Sequence, residues 1–86
     1  MNEYETMTKQ IEKVSKEVDK ILNNCNEEEK PKAEYGWSGT SIDLWITGGN
    51  YQIRKLVENH MINSSKYRSV TMQNYDTKKH FNFYLK

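Results

Sequence analysis

The chain has few of the residues on which secreted or loop-dominated proteins depend. Among 86 residues there are one Cys, one Pro and four Gly. A single Cys excludes an intramolecular disulfide, and with it a disulfide framework. No apolar run approaches the roughly 18 residues of a membrane span. The first ten residues are acidic and polar, unlike a signal peptide. We therefore expect a cytoplasmic protein with no membrane partner.

Charge of one sign is also lacking, since 13 basic residues nearly balance 12 acidic ones and the pI is about 7.8. A strong nucleic-acid binder usually has a high pI and a clustered basic face. The imbalance is local: residues 1–30 hold eight acids and five bases, whereas residues 31–86 hold four acids and eight bases. The length predicts a single small domain over residues 1–86.

The most regular feature that is present is an apolar repeat near the start of the chain. Its steps of three and four residues predict an amphipathic helix over residues 1–25, with one narrow stripe that must be covered. The stripe consists of Tyr4, Met7, Ile11, Val14, Val18, Ile21 and Cys25. Residues 26–37 are charged, contain the Pro and show no apolar periodicity, so we expect a charged linker loop there.

Residues 38–86 predict a β-α-β-β unit, because three segments alternate between apolar and polar residues. The strands are expected at 38–47, 66–73 and 80–85. Gly48-Gly49 is typical of a tight strand-to-helix turn and falls short of a phosphate-binding loop. Asn50 is the expected N-cap of a second helix over residues 51–63. The expected buried side of this helix consists of Ile53, Leu56, Val57, His60 and Met61.

Together these elements predict an α+β fold with the order α-β-α-β-β. We expect a two-layer α/β sandwich, in which a three-stranded sheet carries both helices on one face. If the first two strands are parallel, their crossover through the second helix is right-handed. The other sheet face then lies uncovered.

This uncovered face is the candidate site. Aromatic residues are enriched at protein interfaces because they bury a large area with few rotatable bonds. Strand alternation places aromatic residues on the uncovered face beside polar residues such as Thr71. The predicted partner-binding residues are Trp45, Tyr67, Arg68, His80, Asn82 and Tyr84. The alternative is that the aromatics are cross-strand pairs that only stabilise the sheet.

Two other interactions stay open from the sequence. Basic and aromatic residues interleave in the C-terminal half, as in proteins that bind single-stranded nucleic acid. They are Tyr67, Arg68, Tyr75, Lys78, Lys79, His80 and Phe81. The helical stripe could also join two copies as a homodimer, through a seam of Met7, Ile11, Val14, Val18 and Ile21. The positions that flank this seam offer no attractive charge pairs, which favours packing on the chain's own sheet.

No motif indicates catalysis, a cofactor or a metal. His80 could act with Asp43 or Asp76, but no nucleophile stands in a recognisable setting. The residues Cys25, His60 and His80 lack metal-ligand spacing. We therefore expect a protein that is not an enzyme, with no catalytic residue, no cofactor and no metal ligand.

The composition is rich in Lys, Asn, Ile and Tyr and poor in Ala, Gly and Pro, as in products of AT-rich genomes. In general character the chain resembles the small accessory and inhibitor proteins of phages and mobile elements. Anti-CRISPR and other anti-defence proteins belong to that group. The resemblance rests on type rather than on any residue motif. It implies a non-enzymatic module that occludes a larger protein partner, in the host cytoplasm if the chain is phage-encoded.

Overall fold

The computed structural model describes residues 2–86, so the predicted domain 1–86 is described except for Met1. The described chain has a mixed α+β fold of two helices and four strands. Their bounds are α1 Glu3–Leu22, β1 Lys32–Ser38, β2 Ser41–Thr47, α2 Tyr51–Asn63, β3 Tyr67–Asn74 and β4 Lys78–Leu85. Neither helix combines the length and the apolar content that crossing a membrane requires.

The sheet has four strands in the order β1-β2-β4-β3, and every neighbouring pair is antiparallel. The predicted three-stranded sheet and the order α-β-α-β-β were therefore wrong. The strands β2 and β3 do run in the same direction, but β4 lies between them and pairs with both. The unit that follows α1 is β-β-α-β-β and begins at Lys32 rather than at residue 38.

The missed strand lies in the predicted linker. Within residues 32–38 the side chains of Ala33, Tyr35 and Trp37 alternate with polar residues or Gly, which is the period of a strand. Their cross-strand partners in β2 are Ile46, Leu44 and Ile42. Charge and Gly36 masked this alternation. The two-residue loop between β1 and β2 begins with Gly39 at φ 60, as tight hairpins require.

The stripe of α1 packs against the chain's own sheet. The side chains of Met7, Val14, Val18 and Leu22 are at most 2% exposed and belong to one core cluster with the sheet. Asn2 caps the helix by accepting a hydrogen bond from the Glu5 backbone N–H. The predicted stripe was wrong at its ends. Tyr4 is 67% exposed, and Cys25 lies beyond the helix and is half-buried.

The second helix has the predicted bounds, and Asn50 caps it as expected. Gly48 and Gly49 both adopt positive φ, and a Cβ on Gly49 would lie 2.5 Å from the backbone nitrogen of Pro31. The turn therefore requires Gly. Leu56 was expected to be buried but is 51% exposed. The buried residues of the helix are Arg54, Val57, Glu58 and Met61.

Both helices and one face of the sheet form a single core. The sheet contributes fully buried side chains from its two central strands, β2 and β4. These are Ile42, Leu44, Ile46, Phe81 and Phe83. The residues that alternate with them lie on the opposite side of the sheet, which neither helix covers.

Candidate functional site

The side of the sheet opposite the helices, called the open face below, is the candidate site. Strict alternation in β2 and β4 sets it, because each residue next to a fully buried one points the other way. Five of the six predicted partner-binding residues lie on this face: Trp45, Arg68, His80, Asn82 and Tyr84. The turn after β3 adds Tyr75, and Asp43 and Lys78 complete the group.

One end of the open face is an aromatic stack. Trp45 lies opposite His80 in the antiparallel register, and their rings stack with centroids 4.0 Å apart and an interplanar angle of 16°. Tyr75 stacks near the same indole at 6.2 Å. The Lys78 ammonium lies 4.8 Å from the Trp45 centroid and 5.5 Å from that of Tyr75. These contacts hold the indole in place and cover part of its ring surface.

The middle of the open face is a hydrogen-bond network around one carboxylate. His80 Nε2 lies 2.9 Å from Asp43 Oδ1, and Asn82 donates to the same oxygen at 3.0 Å. The Ser38 hydroxyl donates to Asp43 Oδ2 at 3.2 Å. Burial raises the pKa of Asp43, but the hydrogen bonds from Asn82, His80 and Ser38 outweigh it and lower the pKa overall. The carboxylate is therefore ionised at neutral pH.

The order of groups in this network differs from that of a catalytic triad. In a triad the nucleophilic hydroxyl bonds to the imidazole, and the carboxylate bonds to the other side of the ring. Here the Ser38 hydroxyl bonds to Asp43 itself, while Asn82 links Asp43 to the hydroxyl of Ser41 at 3.1 Å. The network thus ties β1, β2 and β4 together and holds the imidazole of His80 in place.

The other end of the open face is a cation–aromatic pair. Arg68 lies opposite Tyr84 in the register of β3 and β4. Its guanidinium carbon is 4.8 Å from the tyrosine centroid, a cation–π arrangement. The face therefore presents fixed aromatic groups at both ends and a charged, hydrogen-bonded centre.

Tyr67 was predicted on the open face, and this placement was wrong. The register of β3 shifts between Arg68 and Thr71, where Ser69 adopts φ 53 in a β-bulge. One extra residue in a strand reverses the alternation beyond it. Tyr67 is consequently 4% exposed, and its ring packs edge-on against Phe83 at 5.2 Å.

The bulge in β3 and the regular alternation of β4 together divide the basic and aromatic residues that suggested nucleic-acid binding. Tyr67, Lys79 and Phe81 point toward the helices and are at most 5% exposed. Only the remaining residues lie on the open face or in the turn beside it: Arg68, Tyr75, Lys78 and His80. The interleaved sequence pattern therefore does not form one continuous surface.

Asp43 and Tyr75 were absent from the predicted partner-binding residues, although the sequence named Asp43 as a possible partner of His80 and Tyr75 among the candidates for nucleic-acid binding. Asp43 could have been found, because it alternates with Ile42 and Leu44 and so shares the face of Trp45. Tyr75 lies in the turn between β3 and β4, where no periodicity reports the direction of a side chain. Its position follows from the pairing of the two strands.

Two cavities in the described part of the chain lie away from the centre of the open face. One of about 200 Å³ lies between the start of α2 and the β3–β4 turn. A larger one, about 680 Å³, lies between the second half of α1 and the adjoining ends of β3 and β4. Lysine side chains line much of the larger cavity: Lys13, Lys16, Lys20, Lys66 and Lys86. Within residues 2–86 no three His, Cys, Asp or Glu side chains are grouped to hold a metal ion.

Comparison of the chain with protein-family models, with curated protein sequences and with solved structures gives no match in any of the three.

His60 gives a prediction on pH. Its Nε2 lies 2.8 Å from the Tyr67 hydroxyl, and burial lowers its pKa from the ordinary 6.5. The unfolded chain therefore binds a proton at His60 more tightly than the folded chain does. Above pH 6.5 the ring is neutral in both states and this site costs no stability, whereas stability is lost as the pH falls from 6.5 toward the folded-state pKa. Urea unfolding should show lower stability at about pH 5.5 than at about pH 7.5, with a smaller drop in His60→Gln. An equal drop in that variant would assign the effect to other groups.

Proposed function

We propose that this protein is a small non-enzymatic binding module that occludes a larger protein partner through its open face. The observation that carries this proposal is the pair of fixed aromatic ends, Trp45 with His80 and Tyr84 with Arg68, on a sheet face that no helix covers. Binding hot spots are typically such pre-positioned aromatic and Arg side chains. A partner that docks on them orders few further rotamers, which limits the entropic cost of association.

The surroundings of these rings favour a protein partner over a nucleic acid. Proteins that bind single strands offer free ring faces for bases to stack on. Here His80 and Tyr75 stack with the indole of Trp45, and the guanidinium of Arg68 lies over the ring of Tyr84. The ionised Asp43 between them opposes a phosphate backbone. These contacts reduce the ring surface on which a base could stack, whereas the side chains of a protein can also pack against ring edges.

As a phage-type inhibitor or accessory protein, the chain would act by covering a functional surface of its partner in the cytoplasm. This mode of action needs only a rigid face and a stable scaffold. The network around Asp43 supplies the rigidity, because it links three of the four strands at the centre of the open face.

The double variant Trp45→Ala/Tyr84→Ala tests the proposal. The variant should stay folded, and its free energy of unfolding should fall by about 2 kcal/mol at most, because two cross-strand pairs are removed. It should retain less than about a tenth of the partner that the wild-type protein captures, since truncating an aromatic hot-spot residue typically costs about 2 kcal/mol or more in binding free energy. The measurement is capture from nuclease-treated lysate of the source organism on the immobilised protein, with urea unfolding in parallel.

Two controls separate lost binding from lost structure. Tyr4→Ala/Leu56→Ala also removes two large, exposed side chains, but from the helices, and should capture the wild-type amount. Leu44→Ala, on the opposite side of β2, should cost about 2–5 kcal/mol in stability while its folded fraction still binds. If the Trp45/Tyr84 double variant folds and captures its partner fully, the open face is not the interface.

Nucleic-acid binding is the second candidate, favoured by Arg68 and Lys78 beside the aromatic rings. In that case the protein's affinity for a labelled single-stranded oligonucleotide would fall steeply between about 50 and about 200 mM salt, because binding releases counterions from the phosphates. A protein interface centred on aromatic residues weakens only mildly over the same range. If the wild-type protein binds the oligonucleotide and the double variant does not, the ligand of the open face is a nucleic acid rather than a protein.

A further inference from the structure

The sheet has two outer strands, β1 and β3, and they differ as edges. β3 carries the bulge and the positive φ of Ser69, which are features that blunt an edge against pairing. β1 runs through seven residues without Pro or a register shift. Within residues 2–86 the backbone of β1 makes no backbone–backbone hydrogen bond outside its ladder with β2, and its Ser38 carbonyl accepts one from the Ser41 hydroxyl of β2. β1 is therefore the edge that is open to a further strand.

The hairpin geometry shows which backbone groups of β1 are free. Ser38 and Ser41 close a two-residue loop, so this pair exchanges hydrogen bonds. Bonded and non-bonded pairs alternate along an antiparallel ladder. The N–H and C=O groups that point away from β2 are consequently those of Ala33, Tyr35 and Trp37.

We propose that β1 pairs antiparallel with β1 of a second copy of this chain, with the twofold axis at Tyr35. In this register Tyr35 lies opposite Tyr35 of the second copy, and Ala33 lies opposite its Trp37. All three residues of each copy that have free backbone groups then form hydrogen-bonded pairs. The two sheets become one continuous sheet of eight strands, with a closed twofold interface.

The side chains on both sides of the sheet fit this register. On the helix side, the large Trp37 lies beside the small Ala33, and each is half-buried in the single chain. On the open face, Glu34 lies opposite Gly36, where a Cβ would meet no atom within 4 Å. Lys32 lies opposite Ser38, so no like charges face each other. The chain thus provides both halves of a complementary strand pair, which favours a second copy over a strand of another protein.

The dimer does not rest on the proposed function, but it would place two open faces on the same side of one sheet.

Disulfide trapping tests the register. In a Cys25→Ser background, Tyr35→Cys should form a covalent dimer under mild oxidation, because hydrogen-bonded pairs have Cα atoms about 5.5 Å apart, within disulfide range. Glu34→Cys is the matched control, because its twofold mate lies diagonally across the strands, and it should cross-link about tenfold less. Equal cross-linking of the two variants, or none in either, would overturn the proposed pairing.

Sedimentation of the wild-type chain provides a test that does not depend on a Cys variant. We expect a concentration-dependent dimer whose dissociation constant rises at least about tenfold in Ala33→Pro, because proline removes an N–H that points to the free edge. The ladder with β2 keeps its bonds in this variant, so circular dichroism should be unchanged. A wild-type chain that remains a monomer at all concentrations, or a dimer that Ala33→Pro leaves unaffected, would exclude the proposal.

Discussion

Replacing Val14 by Asp is expected to unfold the domain. Val14 is 1% exposed and lies in the middle of the α1 stripe, against the core of the sheet. An unpaired buried carboxylate costs several kcal/mol, on the order of the whole stability of a small domain. A thermal melt followed by circular dichroism should show no cooperative transition, or one that is shifted to much lower temperature.

Lys13→Asp is the matched control for this variant. It introduces the same residue one position earlier, on the exposed side of α1, and should change stability by about 0.5 kcal/mol or less. If Val14→Asp melts like the wild-type protein, the stripe is not buried and α1 does not pack as described. If both variants unfold, the effect lies in the helix itself rather than in burial.

The second large effect is expected at Glu58. Its carboxylate and the Lys79 ammonium are 2.8 Å apart between α2 and β4, and each side chain is 7% exposed. Hydrogen bonds from Lys55 and Lys79 lower the pKa of Glu58. Glu58→Ala would leave the Lys79 charge buried with Asn74 as its remaining hydrogen-bond partner. Removing one partner of a buried pair costs about 3–5 kcal/mol, which urea unfolding would measure.

Replacing the whole pair should behave differently. Glu58→Leu/Lys79→Met keeps the volume and removes both charges, and such exchanges are often neutral or stabilising. Lys55→Ala, which removes the half-exposed partner, should lower stability far less than Glu58→Ala does, because solvent screens this ion pair. If the double variant is as unstable as Glu58→Ala, the ion pair stabilises the fold by more than the cost of burying its two charges.

The sequence predicts those elements whose signal is local. Helix α2 begins after a capping Asn50 and a Gly turn, and its predicted bounds are confirmed. The faces of β2 and β4 follow from strict alternation around Leu44 and Phe81, which are fully buried. For the same reason the predicted site residues of these two strands, Trp45, His80, Asn82 and Tyr84, lie on the open face, whereas the bulge in β3 places Arg68 there and turns Tyr67 inward. Whether they bind a partner remains a prediction.

The parts that the sequence did not reveal depend on pairing between distant segments. β1 is an edge strand with half-buried residues such as Tyr35, so its alternation is weak and the charged segment before it resembles a loop. The bulge at Ser69 arises where β3 meets β4, and no periodicity within β3 reports it. The Glu58–Lys79 pair joins a helix to a strand across 21 positions of the chain, a proximity that only the folded chain creates.

The central place of β4 constrains how the molecule can assemble. During synthesis the chain can form α1, the β1–β2 hairpin and α2, but β3 has no strand to pair with, and β2 has only β1, until residues 78–85 emerge. Such long-range pairing is slow compared with local structure, and it leaves apolar strand faces exposed while it is pending. Pairing of β4 with both β2 and β3 thus completes the sheet late, because only this strand joins the β1–β2 hairpin to β3.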